Sequence, residues 1–426
     1  MRRNWWIAAT IAILILVGGC RSGGHAQNST DLRFLNAVAD AEALDVLVDD
    51  DVKTSALALG STSGYSEFGS GSRDVKIRSA TNGSVLVDKS LTFNSGSNST
   101  LVMYGRRAAI ATLVLTDDTT SPSSGHFKVR AVGLAPDSGA VDLYVVSSDI
   151  TATPATIGAI GYGVATDYIE LTPGSFRIVL AVAGTKDIVF QSTPQNFAEG
   201  AEVTVGVFPA IGGKLVNGLV LTAGSGASGT YLANPFARLK AVNAVPDSTA
   251  LNFKADGTLL LSNVPFLGSS SYVTATTGAH TLQVDASNVP GATIASVTAT
   301  LDPARDYTAL AVNNLAQVQL VALPDDNTLA PAGFAKLRFA NAFVGSGAVD
   351  VLVNFASQAT NIAFASASGY YPLAATITGY SVTFATPGGV SVIASLDTGE
   401  IDAGGVYTVY LFGAGNAPQA RLVRDR

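Results

Sequence analysis

Few side chains in this 426-residue chain could do chemistry. Beyond residue 20 it has the histidines His25, His126 and His280 and no cysteine. A Ser-His-Asp site needs a histidine held by an acid and set beside the nucleophile. These three are scattered along the chain. Zinc needs three or four His, Cys or carboxylate ligands in one cluster, so no metal or other cofactor is expected. Carboxylates do come in pairs, in "VDDDV" (48–52), "TDDTT" (116–120) and "LPDDNT" (323–328). Calcium takes several carboxylate and carbonyl oxygens, and Asp117-Asp118 and Asp325-Asp326 fall near domain boundaries, where an ion could stiffen a junction. The Asp-x-Asn-x-Asp-Gly ladder is absent, and solvated turns, in which Asp bonds its own backbone, are the preferred reading. A hydrolase could also use paired carboxylates a few Å apart, but an active site would break the repeat in one copy. The tyrosines Tyr65, Tyr168, Tyr272 and Tyr371 could form a sugar-stacking platform. The simpler expectation is that they flank a strand and cover a core edge with wet hydroxyls. Pro136-Asp137 and Pro246-Asp247 read as turns.

The one cysteine, Cys20, has a different chemistry. Met1-Arg2-Arg3-Asn4 is a short basic start, and Trp5 to Gly19 carries no charge. That run is short of the roughly 20 residues a spanning helix needs. It fits the apolar centre of a secretory signal. Its end, Val17-Gly18-Gly19-Cys20, resembles the lipobox of bacterial lipoproteins. The resemblance implies a diacylglycerol on the Cys20 thiol, cleavage before it and acylation of the new amino terminus. Two or more chains anchor a protein firmly where one does not. Arg21, in place of the Asp that favours inner-membrane retention, leans the expectation to the outer membrane. Residues 21–30, "RSGGHAQNST", read as a flexible tether spanning ~17–19 Å.

Composition narrows the function. The formal charge is −7, and loss of Arg2 and Arg3 with a signal makes it −9. Nucleic-acid binding rests on clustered Lys and Arg, so no nucleic acid partner is expected. Both tryptophans, Trp5 and Trp6, lie in the signal. With no second cysteine there is no intrachain disulfide, so the fold rests on apolar burial. The length calls for several domains.

Four segments repeat: "LRFLNAVADAEALDVLVDD" (32–50), "VRAVGLAPDSGAVDLYVVS" (129–147), "LKAVNAVPDSTALNFKADG" (239–257) and "LRFANAFVGSGAVDVLVNF" (337–355). Asn36, Gly133, Asn243 and Asn341 each precede Asp45, Asp142, Asn252 or Asp350 by the same interval. A period of about 100 residues means whole domains rather than solenoid units. Apolar and polar residues alternate over short runs bounded by Gly, Pro, Ser and Asn, the pattern of half-buried strands. Leu44-Val46-Val48 and Val141-Leu143-Val145 point inward on this reading. Asp45, Asp142, Asn252 and Asp350 point outward. The expected fold is all-β: tandem Ig-like antiparallel β-sandwich domains after an N-terminal lipoprotein signal peptide.

"GLAPDSGAVDLYV" (133–145), "NAVPDSTALNF" (243–253) and "YIELTPGSFRI" (168–178) are similar to motifs of the domain of unknown function 4397 family. The similarity covers most of residues 31–426 and is best in the second and third copies. It implies exported, often lipid-anchored β-sandwich domains in tandem and no particular reaction. The expected organisation is signal peptide 1–19, lipidated Cys20 and tether 20–30, and sandwiches at 31–118, 126–222, 236–325 and 334–426. Stretches 116–125 and 223–235 read as linkers. The expected role is a non-catalytic envelope lipoprotein of the outer membrane. Its partners would be the membrane, through the Cys20 anchor, and a glycan or protein ligand of the envelope. A glycan- or peptidoglycan-binding module and a carboxylate-dependent hydrolase are the alternatives.

Overall fold

The opening strand of each copy carries a basic residue inside an apolar run: Arg33, Arg130, Lys240 and Arg338. In the computed structural model, which describes residues 28–117, 120–224 and 227–426, these strands are Ser29–Val38, Phe127–Gly133, Phe236–Asn243 and Phe334–Asn341. Almost every residue of them is buried, on both faces. Half-buried alternation, as read from sequence, therefore fails in these strands, and in copy 2 it fails in the facing sheet as well, where Val141–Val146 is buried throughout.

Each copy is a two-layer sandwich. In copy 1 one sheet is Leu44–Val48, Asp51–Leu57, Gly71–Ser79 and Val85–Phe93, all antiparallel. The other sets Ser29–Val38 between Ser66–Gly69 and Asn98–Arg106, with Ala109–Thr116 outermost. Ser29–Val38 runs parallel to Asn98–Arg106, and the same parallel pair recurs in the other three copies. The sandwiches are therefore antiparallel apart from one pair each. That pair forms because the chain crosses to the far sheet and back before it returns beside its opening strand. The core of copy 1 lies between its layers: Leu32, Phe34, Val46, Val75, Leu101 and Met103. Full burial of each such side chain contributes about 1.5–3 kcal/mol.

The repeated polar residues hold this frame. Asn36 Nδ2 donates to Leu57 O at 2.9 Å, and its Oδ1 accepts from Val38 N at 3.0 Å, tying the two sheets together. Asn243 and Asn341 do the same in their copies. Gly133 replaces them in copy 2, where a Cβ would overlap Gly161 O. Asp45, Asp142, Asn252 and Asp350 each accept from the N–H of one neighbouring residue: Ala56, Ala159, Asn263 and Asn361. Those four residues have φ between +51° and +57°, a region that disfavours side chains. The acceptor stabilises the irregular pairing there. Asp142 and Asn252 are buried, so the outward positions are not simply solvated.

The copies are not beads on linkers. The outer faces of the mixed sheets of copies 1 and 2 pack together through Leu35, Ala37, Val102, Val132, Leu134 and Phe208. Copies 3 and 4 meet in the same way through Val242, Ala244, Leu310, Ala340, Tyr410 and Phe412. The stretch 223–235 contains a further strand, Gly229–Leu232, paired with Asn217–Thr222. It extends copy 2 beyond residue 222.

Candidate functional site

Cys20 and His25 lie outside the described residues. His126 is half-buried, its Nδ1 3.0 Å from Ser124 O. His280 contacts Asp256 Oδ2 (2.7 Å) and Thr276 O (2.9 Å). The exposed Asp256 carboxylate is held below its ordinary pKa by the Thr281 N–H and by His280. These contacts tie a hairpin turn to its neighbours. Among the described residues no three His, Cys, Asp or Glu side chains cluster as metal ligands.

Asp118 lies outside the described residues, and the half-exposed Asp326 accepts from Thr328 N–H at 3.1 Å as a turn aspartate does, but Asp117 and Asp325 are not in solvated turns. Asp117 is buried between copies 1 and 2 and Asp325 between copies 3 and 4. Asp117 Oδ1 accepts from Arg130 Nη2 of copy 2 at 2.8 Å. Its Oδ2 accepts from Tyr65 OH at 2.7 Å and from Thr100 Oγ1, and Arg33 Nη2 stands 3.6 Å away. Arg33 Nε donates to Thr100 Oγ1 at 2.7 Å, and Arg130 Nε to Thr204 Oγ1 at 2.9 Å. The second centre matches the first. Asp325 lies 2.7 Å from Arg338 Nη2 and accepts from Thr308 (2.7 Å) and Tyr272 OH (2.6 Å). Asp425 accepts from Thr408 at 2.6 Å and pairs with Lys240. Each carboxylate of this pair meets a cation of the other copy, so the contact is reciprocal.

The tyrosines close these centres. Tyr65, Tyr168, Tyr272 and Tyr370 lie over Arg33, Arg130, Arg238 and Arg338 at 4.6 to 4.8 Å from ring centroid to guanidinium. Such cation–π contacts strengthen when water is excluded. The fourth member is Tyr370, not Tyr371. Strand register places Tyr371 opposite Leu337, where Ser66, Ile169 and Val273 stand in the other copies, and Tyr371 packs on Phe339. The hydroxyls of Tyr65 and Tyr272 are bonded rather than wet, and each of the four rings carries a guanidinium over one face. Burial, then Asp117 or Asp325, raises both phenol pKa values far above the ordinary one. Burial works against charge on Lys240 and Arg338, yet the facing phenols and carboxylates keep both pKa values raised.

Asp137 departs from its repeat partners. Asp40 and Asp247 accept from backbone N–H groups of Arg107 and Leu315 in their own copies. Asp137 instead bonds Arg106 of copy 1 at 2.6 Å and Leu329 N at 2.9 Å, while its carbonyl accepts from Arg426 at 2.5 Å. One turn residue thus joins copy 2 to copy 1, to the segment before copy 4 and to the C-terminal residue. Repetition of Pro-Asp gave no sign of this, because only copy 2 uses it so.

Beside this junction, between copies 2 and 3, is a cleft of about 600 Å³ walled by Lys186, Lys214, Leu215, Phe236, Arg238 and Tyr272 among others. Sequence reasoning missed it, since its walls come from two copies and from loops that do not repeat.

The fold and its repeated centres define a class of tandem all-β sandwiches joined through buried ion pairs. The chain belongs to the family described as Domain of unknown function (DUF4397), whose model matches residues 30–144, 237–351 and 335–426. Residues 145–236, most of copy 2, lie outside these matches, although the motif similarity is best in the second and third copies. No curated protein matches the chain.

Proposed function

We propose that this protein is a non-catalytic, lipid-anchored component of the outer membrane, held by Cys20 on the tether 20–30. It would present an assembly of four sandwiches to a glycan or protein of the envelope. The observation that carries the non-catalytic reading is the use of the repeated polar residues. Asn36, Asp45, Tyr65, Thr100 and Asp117, with their counterparts, bond backbone or one another inside the fold. The uncharged run ending in Val-Gly-Gly-Cys supports the anchor, and among the described residues no helix is long and apolar enough to cross a membrane. Interlocked copies present one composite surface, in place of independent modules linked for avidity.

Fractionation of cells carrying the parent chain or Cys20→Ala tests the anchor, with protease added to intact cells. The expected result is a membrane-bound parent and a released variant. Equal membrane association of the two would refute anchoring at Cys20. Cleavage of the parent on intact cells would place the sandwiches at the surface; protection until the outer membrane is opened would place them in the periplasm.

A further inference from the structure

Copy 2 departs from the others where it meets copy 3. Its hairpin loop 209–216 is longer than the loops 107–108, 313–318 and 413–418 at the same place in the other copies. The loop crosses to copy 3. Gly212 N–H donates to Ala304 O at 3.1 Å, and Gly213, at φ +103°, lies against Asn327 O. A Cβ at either glycine would overlap those carbonyls. Leu215 and Val216 are buried in the copy 2 core together with Ala304. The path of the loop is therefore fixed on both sides of Lys214, which it delivers to the cleft wall with its side chain exposed.

The turn bearing Lys186 supplies a second cation. Corresponding turns in the other copies, "ATNGS" (80–84), "SNVPGA" (287–292) and "TPGGVS" (386–391), contain none. Lys186 Nζ is steadied by neutral acceptors, Tyr144 OH at 3.1 Å and Thr153 O at 2.5 Å. Among the described residues neither Lys186 nor Lys214 has a carboxylate within 4.0 Å. Arg238, in the same wall, is neutralised by Asp306 at 2.8 Å. Asp187 is the acid in the lining and Asp149 feels the charge of Lys186 from outside it; with Arg238 paired, the lining itself carries two cations against one carboxylate. Phe236 and Ile188, both part-exposed, add apolar wall. The volume falls within the roughly 300–1,000 Å³ of small-molecule sites, which combine apolar lining with a few placed polar groups. Both lysines also lie in the stretch left unmatched by the family model.

We infer that the cleft between copies 2 and 3 binds a small organic carboxylate, its anionic head between Lys186 and Lys214 and its apolar body against Phe236 and Ile188. The site gives the binding role proposed above a location. It does not depend on the lipid anchor, which the Cys20→Ala fractionation tests separately.

The test is a fluorine NMR titration of the purified full chain in detergent with 4-fluorobenzoate, and with 4-fluorobenzamide as the uncharged isostere. The benzoate is expected to bind with the amide about tenfold weaker or worse, and Lys186→Ala and Lys214→Ala are each expected to weaken the benzoate about fivefold. Lys214→Arg should retain binding. Lys89→Ala, on an exposed strand of copy 1, should change nothing and reports detergent background. Unchanged melting temperatures show that the exposed lysines act on the ligand and not on folding. Equal binding of the amide, insensitivity to both lysines, or no benzoate binding up to about 10 mM would each overturn the assignment.

Discussion

At the scale of single residues, the two junctions differ by one carboxylate. Asp117 and Asp425 follow their outer strands, and their N–H groups donate to Asn98 O and Val406 O at 2.7 Å. Ala223 donates to Glu202 O in the same way, at 3.1 Å, but brings no side-chain acceptor. Copies 3 and 4 therefore exchange two carboxylate–cation pairs, whereas copies 1 and 2 share Asp117 between Arg33 and Arg130. Arg33 compensates by donating to Thr222 O at 2.8 Å. A buried cation without its own counter-charge is costly. Ala223→Asp should supply the missing partner and raise stability by about 1–3 kcal/mol, the range of hydrogen bonds to charged groups. Urea unfolding of the two chains measures this; a lower midpoint for the variant would show that the added carboxylate cannot reach Arg33.

At the scale of elements, copies 1, 3 and 4 follow their second strand with a two-residue hairpin turn, and one of its residues is misplaced for its conformation. Asp49-Asp50, Asp256-Gly257 and Asn354-Phe355 all have positive φ at both turn positions, the geometry that favours Asn-Gly and Asp-Gly. Phe355 stands at φ +68° and is 85% exposed, whereas glycine fills the same place in copy 3. A bulky residue there costs of order 1–3 kcal/mol, and an exposed ring recovers little by packing. Phe355→Gly should raise the local stability of copy 4 by about 1 kcal/mol; hydrogen exchange of Leu352 and Val353 would report it. The presence of short strands and the 100-residue period could be read because alternation and turn residues are local signals. The second buried face of the opening strands could not. Arg33 beside Leu35 looks like an ordinary outward position until another sheet is set against it. The same holds for Asp117 and Asp325, which are polar residues at domain ends in sequence and become buried hubs only when two copies close over them. Choosing Tyr371 over Tyr370 failed for a related reason: two adjacent tyrosines point to opposite faces, and only strand register tells which one meets the arginine.

At the scale of the whole molecule, the junctions make stability depend on alkaline pH. The phenols of Tyr65, Tyr168, Tyr272 and Tyr370 are all shifted above their ordinary pKa, first by burial. In an unfolded chain these groups lose their protons near pH 10. In the folded chain they keep them, and those of Tyr65 and Tyr272 are donated to Asp117 and Asp325. Above about pH 10 the unfolded state therefore binds fewer protons than the native state, and stability falls as pH rises. Little change in this contribution is expected between pH 7 and 9, where both states keep the phenols protonated. Urea unfolding across pH 8 to 11.5, followed with tyrosinate absorbance, separates the outcomes. The exposed tyrosines should titrate while the protein stays folded, and the junction tyrosines only as it unfolds. Tyr272→Phe should flatten the alkaline slope while losing its bond to Asp325 at every pH. Smooth titration of every tyrosine near pH 10 with the fold intact would mean that water reaches these centres. The copies would then be joined by their apolar faces alone.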